Sequence, residues 1–215
     1  MILILTILAI SILVNKYWKF IRKQAIGLYI LSTLICILII VNKLNLINYK
    51  FNLGIFSRGT VSLALFTIVM FTGVINNPKI KSKFMSVRGE LSIIACILTL
   101  GHNIIYGMRY FKLLIFNSEI LSLCKFMATI VSLIMIILMI PLMITSFKCV
   151  RKKMKYTTWK RIQKTAYIFY GLMYVHIMLL YMPSFKIKYL DIFIYSLLFN
   201  LYFILRLYKY FKYKK

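Results

Sequence analysis

Apolar residues in this chain are gathered into seven long runs, separated by shorter segments that hold most of the charged residues. A run of about 20 apolar residues with few charges is long enough for an α-helix to cross a bilayer. The pattern therefore predicts an all-α fold, a polytopic bundle of six core transmembrane helices preceded by a short N-terminal helix. The predicted spans are 2–14, 24–42, 59–77, 90–108, 127–146, 165–183 and 190–208.

The first run, 2–14, is short for a span. It lacks both the basic start and the small-residue cleavage site of a secretory signal, so we expect it to remain as an uncleaved helix. With the basic segment that follows, it forms an N-terminal part, 1–23. The rest of the chain, 24–215, is expected to form one membrane domain.

Lysine and arginine predict the orientation, because cytoplasmic loops carry an excess of both. The segments 15–23, 78–89 and 147–164 and the tail from Arg206 carry 21 of the 29 basic residues, and the intervening loops carry 8. We therefore expect a multi-pass protein of the bacterial cell membrane with its C-terminus in the cytoplasm, and with its N-terminus outside if seven helices span.

Composition excludes a soluble fold, since 62% of the residues are hydrophobic and the mean hydropathy is +0.88. The net charge of +26 is spread over every loop, so we expect no nucleic-acid partner. Membrane lipids with anionic headgroups account for most of this charge. The strongest cluster, 151–164, indicates a topology signal, and docking of an acidic cytoplasmic partner is the alternative.

Few other side chains could carry chemistry. The acidic residues, Glu90, Glu119 and Asp191, lie at predicted membrane edges and cannot form a proton relay. No glycine-rich nucleotide motif occurs, so we expect neither a flavin nor an NAD site in this chain. The four cysteines are widely spaced without a C-x-x-C pair, which argues against a zinc site or a redox dithiol.

The two histidines, His102 and His176, each lie inside an apolar run. They follow the starts of their runs, near Glu90 and Thr165, by ~18 and ~17 Å at the helical rise. If both helices enter from the cytoplasm, the imidazoles share a depth in the outer half of the bilayer. Two facing imidazoles can ligate a haem iron, and interhelical hydrogen bonding is the alternative interpretation.

Three nearby residues are candidate cofactor contacts. Gly101 would let a flat group approach the backbone next to His102. Arg109 lies seven residues after His102, on nearly the same face of a regular helix, and could pair with haem propionates. Arg58 is a weaker candidate on the same side.

Sequence motifs resemble those of the ferric reductase-like transmembrane domain family, including the small haem-binding membrane subunits of periplasmic methionine sulfoxide reductases. The stretch 88–91, Arg-Gly-Glu-Leu, followed by His102 and Tyr106, is similar to the third helix of that family. The stretch 159–167 followed by His176 resembles the fifth helix, and Arg58-Gly59 through Pro78 resembles the second. The resemblance covers roughly residues 24–208.

The resemblance implies a haem b with His102 and His176 as its axial ligands, and a role as an electron-transfer subunit of an oxidoreductase. Relatives commonly have a further histidine where this chain has Gln163, so we expect one haem and the loss or alteration of a second, inner one. The implied donor is a quinol or a flavoprotein, and the acceptor is extracytoplasmic. The alternative function is a haem-free small transporter or assembly scaffold, which would purify without colour.

Overall fold

The computed structural model describes residues 2–43 and 54–212, and every regular element in those ranges is a helix. Ten α-helices occur there, with a π-helical turn at Asn103–Gly107 and 3₁₀ turns at Ser118–Ile120 and Met182–Ser184. The α-helices are α1 (Ile2–Lys23), α2 (Ala25–Lys43), α3 (Gly54–Ser57), α4 (Thr60–Phe71), α5 (Pro78–His102), α6 (Met108–Phe116), α7 (Leu123–Ile144), α8 (Lys148–Lys153), α9 (Tyr156–Tyr181) and α10 (Phe185–Lys212).

Five helical stretches among the described residues are long and apolar enough to cross a membrane, which confirms the predicted all-α polytopic fold. They are Ile2–Lys23, Ala25–Lys43, Pro78–Phe116, Leu123–Ile144 and Tyr156–Lys212. The last contains two helices, α9 and α10, joined by a 3₁₀ turn. The run 59–77 forms only the 12-residue helix α4. The predicted number of six core spans therefore stays a prediction.

The first helix is longer than the run that predicted it, and Tyr17 explains the difference. Its backbone angles, φ −112° and ψ 21°, are not helical, so α1 consists of two helical segments across a kink. The first segment covers the predicted span 2–14 and includes Lys16, and the second contains Lys19, Arg22 and Lys23. The helix therefore continues past the apolar run into the basic segment.

The residues divide into two compact units. The first, called the N-terminal unit here, comprises Ile2–Arg109 and Ser146–Lys148. In it, α5 packs against α1, α2 and α4, and α1 also packs against α4. Small or apolar side chains fill the contacts, and Ala64, Val87 and Ala95 are completely buried.

One end of the N-terminal unit gathers the predicted inner segments. Lys83 donates to the side-chain oxygen of Asn15 at 3.0 Å, which joins the segments 78–89 and 15–23. The Lys148 ammonium lies 2.6 Å from Oε1 of Glu90, which joins α5 to the start of α8. Within the N-terminal unit these contacts join the segments 15–23 and 78–89 to each other and α5 to Lys148, and the side of the membrane on which they lie stays a prediction.

The second unit, called the C-terminal unit here, comprises Tyr110–Thr145 and Cys149–Lys215. Helix α9 packs against α7 on one side and against α10 on another. Aromatic rings form much of the contact with α10, and the ring of Tyr170 lies 4.5 Å from that of Phe199 and 5.1 Å from that of Tyr202. Helix α9, which carries His176, is thus held by packing on two faces.

Candidate functional site

His102 is the last residue of α5 in the N-terminal unit, and its ring is held by a backbone carbonyl. Its Nδ1 lies 2.8 Å from the carbonyl oxygen of Ser57. Because a carbonyl can only accept a hydrogen bond, Nδ1 carries the proton and the neutral ring presents its lone pair at Nε2. Histidines that ligate metals commonly have this arrangement, in which one ring nitrogen is fixed by a carbonyl and the other binds the metal.

Gly59 packs against the face of the His102 ring. Its φ of +77° is left-handed, a conformation that side chains with a Cβ rarely adopt. A Cβ at this position would lie 3.4 Å from Nδ1 and 3.5 Å from Cγ of His102. The turn Ser57–Gly59 therefore supplies both the hydrogen-bond acceptor and the space that the imidazole needs. Arg58, between them, has an exposed side chain.

The helix that carries His102 widens immediately after it. The π-helical turn Asn103–Gly107 follows, and the Tyr106 ring lies 5.2 Å from the His102 ring. A π turn contains one more residue than an α turn, so it rotates the residues beyond it by roughly 100°. The turn removes the regular spacing on which the Arg109 prediction depended. Arg109 is exposed, and its role as a propionate partner stays a prediction.

Gly101 faces another helix. A Cβ at this position would lie 2.8 Å from Sγ of Cys36 and 3.2 Å from its Cβ. The Cys36 thiol itself donates to the Ile97 carbonyl at 3.2 Å. Close contact between α2 and α5 is therefore sufficient reason for a glycine here, and a cofactor contact at Gly101 stays a prediction.

His176 repeats the arrangement of His102 within the C-terminal unit. Its Nδ1 lies 3.0 Å from the Ala128 carbonyl oxygen of α7, so Nδ1 of this ring also donates a hydrogen bond to a backbone carbonyl. Near it on α9, the Tyr174 hydroxyl lies 2.9 Å from the hydroxyl of Ser196 on α10. Helices α7 and α10 thus both fix the part of α9 that carries the histidine.

Gln163 lies at the opposite end of α9. Its amide donates to the hydroxyl of Thr145 at 3.0 Å, and the indole of Trp159 donates to the carbonyl of the same threonine at 3.1 Å. The Thr145 hydroxyl in turn donates to the Pro141 carbonyl at 2.7 Å. At this position the glutamine joins the start of α9 to the end of α7.

Sequence reasoning missed the two carbonyl acceptors, at Ser57 and Ala128, because every residue has a carbonyl and its direction depends on tertiary packing. Gly59 was detectable as a glycine at the start of a helical run, but its contact with His102 was not. In the described ranges, no group of three or more histidine, cysteine or acidic side chains is placed to hold a metal ion.

Apolar helices long enough to span a membrane, two of them carrying a carbonyl-bonded histidine, define the class, an integral helical membrane protein. The family model of the ferric reductase like transmembrane component matches residues 58–174, just over half of the chain. The chain belongs to this family. The match includes His102 and ends two residues before His176.

One relative is an uncharacterised protein of Treponema pallidum (strain Nichols), 37% identical over 185 residues. The alignment covers 83% of this chain and 51% of the relative, so the chain spans about half the length of the curated relative that it matches. No solved structure matches significantly.

Proposed function

We propose that this protein is a membrane electron-transfer subunit that binds one haem b, with His102 and His176 as its protein ligands. Membership of the ferric reductase-like family supports a role in electron transfer across a membrane. The observation that carries the ligand assignment is that both histidines, in separate units, direct the Nδ1 proton to a backbone carbonyl. That bond leaves Nε2 as the basic nitrogen of each ring.

A bound haem b supplies one-electron chemistry at an iron that alternates between ferric and ferrous states. The chain's own residues fix the ring orientation. The Ser57 and Ala128 carbonyls hold each imidazole in one tautomer, and a hydrogen bond from Nδ1 raises the basicity of Nε2 as a ligand. Arg58 and Arg109 are proposed to bind propionates at the outer surface.

The number of haems follows from the number of histidines. The chain contains two, which suffice for one bis-histidine haem. Gln163 stands where relatives commonly have another histidine, and its amide already donates to Thr145. We therefore propose one haem in the outer half of the bilayer and none near Gln163.

Position in the membrane restricts the electron donor. A haem in the outer half lies far from a soluble cytoplasmic flavoprotein, and a quinol can deliver electrons at bilayer depth. We propose a quinol or a membrane-associated flavin partner as donor, and a ferric chelate or an oxidised extracytoplasmic protein as acceptor. An acceptor of the second kind corresponds to the role of the methionine sulfoxide reductase membrane subunits that the sequence resembles.

A reduced-minus-oxidised absorption spectrum of detergent-purified protein, with the haem-to-protein ratio, tests the proposal. We expect one b-type haem per chain, lost or made high-spin in His102→Ala and in His176→Ala. The neighbouring variants Asn103→Ala and Val175→Ala serve as matched controls and should keep the spectrum. Colourless wild-type protein from haem-replete cells would refute haem binding and favour the haem-free transporter or scaffold.

A second variant separates ligand binding from structural support. In His102→Asn, the amide nitrogen takes the place of Nδ1 and can still donate to the Ser57 carbonyl, so the fold keeps its hydrogen bond. Asparagine is not a usual haem ligand, so the low-spin spectrum should disappear while the melting temperature changes less than in His102→Ala. A spectrum unchanged in His102→Asn would exclude His102 as a ligand.

A further inference from the structure

A dense group of cations lies where two apolar helices of the C-terminal unit end. It is called the basic surface here and consists of Arg151, Lys152, Lys153, Lys155, Lys160 and Arg161, all with exposed side chains. No acidic residue occurs in the sequence between Glu119 and Asp191. In the part of the chain that the structure describes, ion pairs form at Lys148 and Lys188, and none includes a member of this group.

Aromatic side chains are interleaved with these cations. The guanidinium of Arg151 lies 5.1 Å from the centre of the Trp159 ring, and the Lys160 ammonium lies 5.6 Å from that of Tyr156. The two rings lie 5.9 Å apart. Tryptophan and tyrosine concentrate at the headgroup level of membranes, where one part of the ring is apolar and the other meets water.

Trp159 fixes the height of the basic surface along the helices. Its indole donates to the carbonyl of Thr145, the residue that follows α7. Helix α7 is a candidate span that ends at Ile144, and the next begins at Tyr156. The cations therefore lie just beyond the ends of helices that are apolar enough to cross a membrane, where a bilayer crossed by these helices would present its phosphates.

We propose that the basic surface binds the headgroups of anionic phospholipids, with guanidinium and ammonium groups paired to the phosphates and with Tyr156 and Trp159 seated at the interface. Uncompensated positive charge beside interfacial aromatics is the combination that an anionic bilayer surface attracts. An acidic soluble partner would need the charge but not the aromatic pair at the ends of two spans. The inference does not depend on haem binding.

Quenching of Trp159 fluorescence by brominated lipids tests this binding directly. The chain has two tryptophans, so Trp18→Phe leaves Trp159 as the sole fluorophore. The protein is reconstituted in vesicles of brominated phosphatidylglycerol or brominated phosphatidylcholine mixed with the unbrominated neutral lipid. We expect stronger quenching by phosphatidylglycerol at equal mole fraction, and a difference that shrinks in high salt.

Matched charge variants locate the site. In the Trp18→Phe background, Lys152→Gln/Lys153→Gln should lower the relative binding constant for phosphatidylglycerol about thirtyfold, because each cation near an anionic surface contributes a factor of about five. Lys186→Gln/Lys188→Gln removes the same charge elsewhere and should leave it unchanged. Equal quenching by the two lipids, as expected for a surface that serves an acidic protein, would overturn the proposal. Equal loss in both charge variants would also overturn it.

Discussion

Replacing Gly59 with alanine tests whether the turn Ser57–Gly59 holds the imidazole of His102. An alanine at φ +77° costs about 1–2 kcal/mol relative to its normal backbone conformations. Its Cβ would also lie 3.4 Å from Nδ1 of His102, at the short limit of van der Waals contact. A small shift of the ring away from this Cβ would weaken its hydrogen bond to Ser57, which contributes about 1 kcal/mol.

The two contributions together predict a loss of about 2 kcal/mol in the free energy of unfolding. For a chain of this length, 1 kcal/mol corresponds to roughly 2–4 °C in melting temperature, so Gly59→Ala should melt about 4–8 °C lower. The assay is thermal unfolding in detergent by circular dichroism, at one scan rate for all variants. Where haem is bound, the absorption spectrum and the midpoint potential should change as well.

Gly27→Ala is the matched control. Gly27 lies inside α2, and no atom of another group lies within 4 Å of the position that a Cβ would take. Alanine should therefore leave the stability unchanged or raise it by about 0.5–1 kcal/mol. Equal melting temperatures for Gly59→Ala and Gly27→Ala would refute the reasoning.

Two further variants separate the backbone contribution from the ring contact. Asparagine tolerates the left-handed conformation and still carries a Cβ. Gly59→Asn should therefore avoid most of the backbone strain of Gly59→Ala and keep the loss of unfolding free energy that comes from the contact with the ring. In a His102→Ala background the ring is absent, and Gly59→Ala should then cost only the backbone part. An equal cost with and without the ring would show that Gly59 does not act through His102.

The remaining predictions concern other close contacts. Gly101→Ala should destabilise the protein because its Cβ would meet Sγ of Cys36 at 2.8 Å, and Cys36→Ala in the same chain should restore part of the loss, measured as a double-mutant cycle by thermal unfolding. Gly171→Ala, inside α9 with open space around it, should be neutral or stabilising, and a large loss would contradict the packing described. Lys148→Met should leave the buried Glu90 carboxylate without its cation, so it should melt below the double variant Glu90→Gln/Lys148→Met. The reverse order of melting temperatures would show that Lys148 does not compensate the burial of Glu90.

Hydropathy predicted the helices well and their ends poorly. The run predicted to begin at Glu90 belongs to a helix that begins at Pro78, twelve residues earlier. The side chain of Asn77 caps this helix by accepting from the backbone N–H groups of Lys79 and Ile80, at 3.0 and 3.2 Å. Four basic residues and two serines interrupt the apolar residues of this added stretch, so a signal based on apolar length could not include it.

The difference between predicted and observed helix starts also changes the depth estimate for the histidines. His102 lies 24 residues after the start of α5, and His176 lies 20 residues after the start of α9. The corresponding distances along the helices are about 36 and 30 Å, so the equal distances calculated from the apolar runs are only approximately retained. The lengths of helix outside the apolar region depend on capping and on contacts between polar segments, which one-dimensional hydropathy does not contain.

A hydrogen-bonded histidine and a ligand histidine need not be alternatives in this protein. An imidazole at membrane depth must satisfy its N–H group, because no water is available there. In both units the acceptor is a backbone carbonyl, at Ser57 and at Ala128, and it engages Nδ1. The hydrogen bond that satisfies the Nδ1–H group also fixes the tautomer in which Nε2 is the basic nitrogen. In the proposed function this structural contact prepares the ring for ligation, and replacing a carbonyl-bonded histidine by asparagine should remove the proposed second role while keeping the first.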